Sequence, residues 1–308
     1  MEATASSLKA LLPHFEVERP CRWNMIFKRA APLTVEIGFG LGEILLKKAS
    51  EHPEGDFVGI ETHWERICKT LGRMEKSPAG FANVRILSLD ATVTLERLFE
   101  EKTIDHAYSL FPCPWPKKKH IRHRLFSRGG LRLLNSRLKA GGQFYLVSDY
   151  YPYIEWVKQE SRGCGFSVDE KNVRTNFETK FEKKWRGEGQ DVFFELLLTK
   201  KRHVHVPVKK DVTLKNYNLD RFEAARFKFE AKKTGATIVL KDLNYDAAKK
   251  EALIHTIVAE ENLTQHFWIM VKSREKGWII KPMEGQHFFP TPGIAEALKA
   301  VYSSAKNS

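Results

Sequence analysis

The nine residues TVEIGFGLG (34–42) decide the fold, because an apolar, β-branched run ends there in three glycines at the start of an amphipathic stretch, 41–50. The run predicts a buried strand, and the glycines predict a turn whose backbone can approach a ligand at a helix N-terminus. Glu43 stands where the dinucleotide-binding pattern GxGxxG requires its third glycine. Glu36, just before the glycines, would repel a pyrophosphate and suits a nucleoside with a positively charged tail.

Strands and helices alternate along the chain that follows this turn. Short apolar runs rich in β-branched and aromatic residues predict strands at 57–61, 84–90, 104–111, 142–149 and 191–199. Amphipathic stretches predict helices at 41–50, 64–76, 94–100, 122–139 and 153–162. This alternation predicts an α/β fold of the Rossmann-like kind, a parallel sheet with helices on both faces. The pattern leaves the order of the strands open.

The pattern changes near residue 200, where a basic linker with one proline, KKRHVHVPVKK (200–210), begins. Beyond it, strands are expected at 237–243, 254–259, 266–272 and 278–281, and a closing helix at 292–303. The sequence therefore predicts three parts. They are an N-terminal segment that packs on the core (1–33), a main domain (34–202) and a smaller C-terminal α+β domain of unknown role (203–308).

The composition of the chain indicates which classes of partner and which cellular compartment to expect. The chain of 308 residues has 51 Lys+Arg and 38 Asp+Glu, a formal net charge of +13, and such an excess favours a polyanionic partner. The four cysteines lie far apart, without the paired spacing of a zinc site or a disulfide framework, so we expect no metal. No apolar stretch is long enough to span a bilayer and no signal-peptide pattern is present, so we expect a cytoplasmic protein without a membrane partner. Monomer and homodimer both stay open.

Three acids stand at the ends of the first three predicted strands. Glu61 can accept hydrogen bonds from two ribose hydroxyls, Asp90 can contact an adenine amino group, and Glu36 suits an ammonium or sulfonium. Each acid alone is better explained as a helix N-cap or a solvated loop residue. Three at one sheet edge, where such folds bind ligands, favour a site for S-adenosylmethionine.

The fourth predicted strand runs into a rigid basic turn, PCPWPKKKH (112–120). Three prolines in five residues stiffen it and present Trp115. No acidic residue occurs between Leu110 and Ser148, a span with nine lysines and arginines. A run of one charge sign is usually a solvated face, but its place beside the cofactor edge favours phosphate binding.

These motifs together resemble the bacterial tRNA (guanine-N7-)-methyltransferase family over about residues 23–200. The resemblance rests on VEIGFGLGE, GIET, FPxPWPKKKH, the LKAGG turn with FYLVSD, and TKFE at 179–182. It implies a class I methyltransferase sheet. It also implies transfer of a methyl group from S-adenosylmethionine to N7 of a guanosine in tRNA, at position 46 of the variable loop.

The resemblance also assigns roles to residues of this chain. It implies cofactor contacts from Glu36, Gly38, Gly40, Glu61, Asp90 and Cys113. It implies guanosine contacts from Lys117, Asp149, Thr179, Lys180, Phe181 and Glu182. RNA contacts are expected from Lys118, Lys119, His120, Arg122 and Arg124. For Asp149 the alternative is the N-cap of the next helix, and for Glu182 it is a solvated charge.

Two positions depart from the family, and His123, where the family tends to have Arg or Lys, should cost only some phosphate affinity. Cys113 stands where the family usually has an aspartate that is thought to serve catalysis. N7 of guanine carries a lone pair and no hydrogen, so its methylation needs no general base, and positioning should supply most of the rate. We therefore expect the same reaction. The rival hypothesis is a non-catalytic RNA-binding relative, against which the intact acids Glu36 and Glu61 argue.

Overall fold

The computed structural model describes residues 8–77, 80–173, 187, 192–229, 231–233 (backbone alone) and 235–306. The chain divides into two compact units, Met1–Lys209 and Lys210–Ser308. In the described part of the chain, no helix has both the length and the apolar character that crossing a membrane requires.

The first unit is built on one seven-stranded sheet. Its strands are β1 (Leu33–Ile37), β2 (Asp56–Glu61), β3 (Val84–Ser88), β4 (Ile104–Leu110), β5 (Leu138–Ser148), β6 (Phe166–Val173) and β7 (Phe193–Lys200). They lie in the order β3-β2-β1-β4-β5-β7-β6. Strands β1 to β5 run parallel, whereas β7 is antiparallel to β5 and β6 is antiparallel to β7. The chain order reverses between β1 and β4, which is where ligands bind in open α/β sheets.

The helices of this unit are α1 (Trp23–Phe27), α2 (Glu43–Glu51), α3 (Trp64–Glu75), α4 (Ala91–Arg97), α5 (Arg128–Arg137) and α6 (Tyr151–Glu160). A 3-10 segment covers Lys118–His123. Every residue of β2 is buried, as expected for a central strand with both faces covered. Gly59 allows α2 to pack closely on β2, because a Cβ at this position would lie only 2.5 Å from Leu45 Cδ2 of α2.

The predicted fold class is confirmed, with two local differences. The single helix predicted over 122–139 is wrong: α5 begins only at Arg128, after Ser127 has accepted a hydrogen bond from the Gly130 N–H. Strand β6 was not predicted, because its sequence FSVDEKNV has polar residues on both faces and at most partial burial. It pairs only with β7 and forms the edge of the sheet.

The N-terminal segment lies along the opposite edge of this sheet. The Leu12 N–H donates to the Ile86 carbonyl (2.9 Å) and the Ile86 N–H donates to the Ala10 carbonyl (2.8 Å), beside β3. Farther on, the Trp23 ring stacks on Phe99 with a centroid separation of 4.7 Å. These contacts bury apolar surface of the segment on the first unit.

The second unit is an antiparallel sheet with one helix. Its strands are β8 (Tyr217–Leu219), β9 (Ala231–Lys233), β10 (Thr237–Asp246), β11 (Glu251–Glu260), β12 (Leu263–Ser273) and β13 (Trp278–Pro282), in the order β8-β13-β12-β11-β10-β9. Helix α7 (Pro292–Lys306) supplies Ile294, Leu298 and Val301 to a core shared with alternate residues of the sheet. The unit has the α+β class expected from its sequence.

Candidate cofactor and substrate site

Glu36 lies at the centre of the main sheet, where β1 pairs with β2 on one side and β4 on the other. Its side chain is 3% exposed. Burial raises the pKa of this carboxyl to about 8, although the neighbouring Tyr108 hydroxyl and the Lys48 ammonium lower it in part. Among the described residues, Oε2 makes no hydrogen bond of normal geometry, and the buried Tyr108 hydroxyl beside this carboxyl is likewise unsatisfied. A buried carboxylate oxygen left unpaired is costly, so this position suits a ligand that brings a cation or an N–H donor.

The glycine turn leaves room beside that oxygen. Gly38 and Gly40 have φ angles of +74° and +56°, and a Cβ on either would meet nothing within 4 Å. Gly42 (φ +72°) differs, because a Cβ there would lie 2.4 Å from Thr70 Cγ2 of α3. The first two glycines therefore face open space that a ligand can fill, whereas the third is required for the packing of the turn on α3.

Glu61 fastens the glycine turn to the end of β2. Its Oε1 accepts the backbone N–H groups of Thr62 (2.8 Å) and His63 (3.0 Å). Its Oε2 accepts the Gly40 N–H (3.1 Å) and one Arg66 N–H (3.4 Å). The carboxyl is only 5% exposed. Arg66 was missed at the sequence level, because a charged residue in the first turn of an amphipathic helix is usually solvated.

Asp90 is the N-cap of α4. Its Oδ1 accepts from the N–H groups of Thr92 (2.8 Å) and Val93 (3.1 Å). Asp90 therefore caps the helix, as the alternative interpretation proposed. Only Oδ2 is left for the expected contact with adenine, which stays a prediction.

One cavity of about 250 Å³ joins Glu36 to the glycine turn, whereas Glu61 and Asp90 are not among its lining residues. It is lined by residues that include Glu36, Gly38, Gly40, Arg66, Leu110 and Phe111. A larger groove of about 570 Å³ crosses β1, β2, β4, β5 and β7, is lined by both polar and apolar side chains, and shares only Leu110 with the first cavity. The smaller cavity is the better candidate, because it alone contains the unpaired carboxylate oxygen and the open glycines.

The proline-rich turn begins at the rim of this cavity. Phe111 and Trp115 have φ angles of +51° and +42°, conformations that bulky side chains rarely adopt. The Trp115 ring packs with His120 and His123, at centroid distances of 5.6 and 5.3 Å, and the two histidine rings lie 6.0 Å from each other. Lys117 precedes the 3-10 segment, and its exposed side chain shares this surface with Cys113, Lys118, Lys119 and Arg122. Backbone strain of this kind is concentrated at functional sites.

Arg124 does not share that exposure. It is 8% exposed, and its guanidinium donates to the Pro114 carbonyl (2.8 Å) and the Trp115 carbonyl (3.3 Å). An RNA phosphate cannot reach a group buried in this way, so the structure does not support the RNA contact expected of Arg124. His120 is half-buried against Trp115.

Asp149 follows β5 directly, on the same sheet edge. The N-cap of α6 is Tyr150 and not Asp149, so the capping alternative does not account for this acid. The Phe111 N–H donates to the Val147 carbonyl (2.8 Å), which ties the proline-rich turn to the end of β5. The structure thus brings the Glu36 cavity, the proline-rich turn that carries Lys117, and Asp149 to one edge of the main sheet. Thr179, Lys180, Phe181 and Glu182 lie outside the described residues.

A cluster of possible metal ligands lies elsewhere in the first unit, at Glu101, His203 and His205. The Lys200 Nζ lies 3.0 Å from His203 Nδ1, which makes Nδ1 the acceptor and leaves the ring hydrogen on Nε2, towards Glu101 Oε2 (3.4 Å). Glu101 Oε1 also accepts from Ser136 (2.6 Å). A ring nitrogen that carries a hydrogen has no free lone pair for a metal ion. The cluster is therefore better explained as a set of hydrogen bonds that hold the linker than as a metal site.

Comparison with known proteins agrees with this geometry. A family model described as "Putative methyltransferase" matches residues 30–195, more than half of the chain. The tRNA (guanine-N(7)-)-methyltransferase of Chlorobium phaeobacteroides is 41% identical over 183 residues, which cover 59% of this chain and 89% of that protein. The protein of the same name from Thermotoga maritima is 29% identical over 292 residues, 92% of each chain. That from Aquifex aeolicus is 27% identical over 279 residues, 87% of this chain and 92% of its own. The last two matches extend into the second unit.

Proposed function

This chain belongs to the tRNA (guanine-N(7)-)-methyltransferase family, and on that premise we propose that it methylates N7 of a guanosine in tRNA, with S-adenosylmethionine as the methyl donor. The observation that carries the proposal is the unpaired, buried Oε2 of Glu36 in a cavity that is bounded by open glycines and reaches Phe111, the residue directly before the basic turn. The family implies position 46 of the variable loop as the target, and we adopt it as part of the proposal.

The cavity fits the donor at its charged and polar groups. When bound, S-adenosylmethionine supplies a methyl group activated on a sulfonium. Glu36 holds the cationic tail, because its ionised form is costly in the buried site until a positive charge accompanies it. Glu61 holds the turn that lies over the cavity and exchanges part of its hydrogen bonding for the ribose hydroxyls. Asp90 caps α4 with one oxygen and contacts adenine with the other.

The guanosine is held so that N7 faces the methyl group. Asp149, and Glu182 by the resemblance, accept from N1–H and the exocyclic amine, the donors on the edge opposite N7. Lys117 lies on the turn beside the same edge, while Lys118, Lys119 and Arg122 offer exposed cations to the phosphate backbone. No residue has to remove a proton, so orientation supplies most of the rate.

One assay tests the proposal. Purified protein is incubated with unmodified tRNA and isotopically labelled S-adenosylmethionine, and the tRNA is then digested to nucleosides for mass spectrometry. Labelled 7-methylguanosine is expected, and its absence, or label on another nucleoside, would contradict the proposed activity. Sequencing by cleavage at 7-methylguanosine then locates the modified position.

The rival, a non-catalytic RNA-binding relative, is not favoured by the family or by the intact cavity. Calorimetry with S-adenosylmethionine separates the two, because a pure RNA binder should release no heat. Binding by wild type that disappears on replacing Glu36 would support the proposed site.

Replacing Cys113 with aspartate is expected to keep or raise the rate of methyl transfer, by up to about tenfold. The thiol is exposed at the start of the rigid turn, so a carboxylate can occupy its place without a burial penalty and can add negative charge beside a cationic product. Single-turnover rates with saturating tRNA measure the effect. Cys113→Ser serves as the control, and a collapse in Cys113→Asp would show that the cysteine has a role of its own.

Replacing Lys117, Lys118 and Lys119 together with alanine is expected to weaken tRNA binding and to lower its salt dependence. Every lysine that pairs with a phosphate contributes roughly one to the slope of log K against log salt, so the slope should fall by about two to three. Filter binding between 50 and 200 mM salt, typical for such titrations, measures it. The matched control replaces three exposed lysines elsewhere, Lys47, Lys171 and Lys201. An equal effect of both triples would show that the turn has no special role.

A further inference from the structure

Arg124 is the exception within the basic segment. Its neighbours Lys118, Lys119, Arg122 and His123 are exposed, whereas Arg124 is 8% exposed. A guanidinium is buried at a cost unless its donors and its flat faces are occupied. Two of its nitrogens and one side of its plane are occupied here, by two different elements of the first unit.

The edge of the guanidinium is occupied by the proline-rich turn. Nε donates to the Pro114 carbonyl (2.8 Å) and Nη2 to the Trp115 carbonyl (3.3 Å), so the two carbonyls that flank the Trp115 Cα are held by one planar group. Trp115 has a φ of +42°. A bulky residue keeps such a conformation only when its surroundings impose it. Arg124 supplies that restraint from within the same segment.

Helix α6 lies against the guanidinium through two aromatic rings, which stack on each other with their centroids 5.9 Å apart. The Arg124 Cζ lies 4.7 Å from the Trp156 ring centroid and 5.3 Å from that of Tyr153. Tyr153 is fully buried, so its ring cannot shift freely. Helix α6 begins two residues after Asp149. Arg124 therefore connects the turn that carries Lys117 to the helix that fixes the backbone after Asp149.

We propose that Arg124 is a positioning residue, which fixes the turn bearing Lys117 relative to the β5–α6 junction bearing Asp149. This inference rests on the proposed function, since those two side chains are proposed guanosine contacts. Lysine cannot replace arginine here, because an ammonium lacks both the planar fork that reaches two carbonyls and the flat face that stacks on two rings. The role is mechanical and requires no contact with RNA.

The test compares Arg124→Lys and Arg124→Gln with the same changes at exposed Arg122. Arg124→Lys is expected to lower kcat for methyl transfer at least tenfold, while the Kd for S-adenosylmethionine and the salt slope of tRNA binding stay at wild-type values. Arg124→Gln should likewise leave the salt slope unchanged, whereas Arg122→Gln should lower it by about one. A fall of one in Arg124→Gln with kcat intact would identify Arg124 as a phosphate contact and overturn the proposal.

Two further measurements separate positioning from general instability and from failure of the proposed function. The exposed Cys113 thiol lies on the restrained turn. Its rate of alkylation, monitored by peptide mass spectrometry, should be higher in Arg124→Lys than in Arg122→Lys, whatever reaction the protein performs.

Trp156→Leu should reproduce the loss of kcat, and the double variant that combines it with Arg124→Lys should lose no more kcat than the worse single variant. An unchanged alkylation rate, additive losses, or a parallel loss of S-adenosylmethionine binding would each overturn the positioning role. Absence of 7-methylguanosine with wild type would instead reject the function.

Discussion

Glu36→Gln is expected to lower the affinity for S-adenosylmethionine, and with it kcat/KM for methyl transfer, by about 100-fold or more. Removing the negative partner of a buried cation typically costs about 3–5 kcal/mol, and about 1.4 kcal/mol is a factor of ten. Glutamine has nearly the same shape and fills the same space beside the unpaired Oε2 position. Calorimetric Kd values and initial rates with tRNA measure the loss, which should leave tRNA retention on a filter unchanged.

The same variant should remove a pH dependence. Burial raises the pKa of Glu36 to about 8, and a cationic ligand is held by the ionised carboxylate. Binding below about pH 8 must therefore release a proton, and the wild-type affinity should fall roughly tenfold for each pH unit below that value. Above it, the affinity should level off. The ligand's own amino group titrates equally in both proteins, so the difference between wild type and Glu36→Gln isolates the carboxyl. Parallel pH profiles would contradict this account.

The ionisation of Glu36 should affect the free energy of unfolding in the opposite sense to its effect on S-adenosylmethionine binding. The pKa of Glu36 is raised in the folded protein above its ordinary value of about 4.5, so the unfolded chain loses this proton at a lower pH than the folded chain. The acid therefore costs stability as the pH rises from about 4.5 towards 8. Glu36→Gln should unfold no more easily than wild type at pH 7, and harder if anything. A lower free energy of unfolding in urea would show that Glu36 serves the fold.

Hydrophobic periodicity was sufficient to predict the sheet, because β1, β2 and β4 have the apolar runs and the glycine turn typical of buried parallel strands. It could not predict β6, whose polar edge position leaves no such pattern. The helix predicted over 122–139 failed for a tertiary reason. Arg124 turns inward to the Pro114 and Trp115 carbonyls, a contact with a segment ten residues earlier that outweighs helical propensity.

The candidate site divides in the same way. Glu36 and Glu61 were predictable, since strand ends of a parallel sheet share one edge. The role of each acid at that edge was not predictable, because it depends on hydrogen-bond partners that the spacing of residues in the sequence does not show. Glu36 has an oxygen without a partner, whereas Glu61 accepts four N–H groups from the turn, the chain after β2 and Arg66. Arg66 was missed, and Arg124 was expected to contact RNA, for a similar reason, because sequence patterns treat a charged residue as solvated by default.

Glu61→Gln is expected to cost about 2–4 kcal/mol of folding free energy and most of the S-adenosylmethionine binding. Both carboxylate oxygens accept N–H donors, so in either orientation the amide nitrogen of glutamine would face a donor in place of an acceptor. Each buried group left unsatisfied costs about 1–3 kcal/mol. The Gly40 N–H would lose its acceptor, and the turn over the cavity would shift. Urea unfolding and calorimetry measure the two effects.

Glu18→Gln is the matched control for this change. Glu18 pairs with Arg22 at the surface, with side chains 68% and 70% exposed, so its loss should cost less than about 1 kcal/mol. Arg66→Met should fall between the two, since it removes one donor and leaves three in place. If Glu61→Gln unfolded at the wild-type urea concentration, the carboxylate would not be holding the turn. Two acids at neighbouring strand ends should thus differ in how their stability responds to the same isosteric change. The one that awaits a ligand loses function without losing stability, and the one whose oxygens are already occupied by the protein loses both.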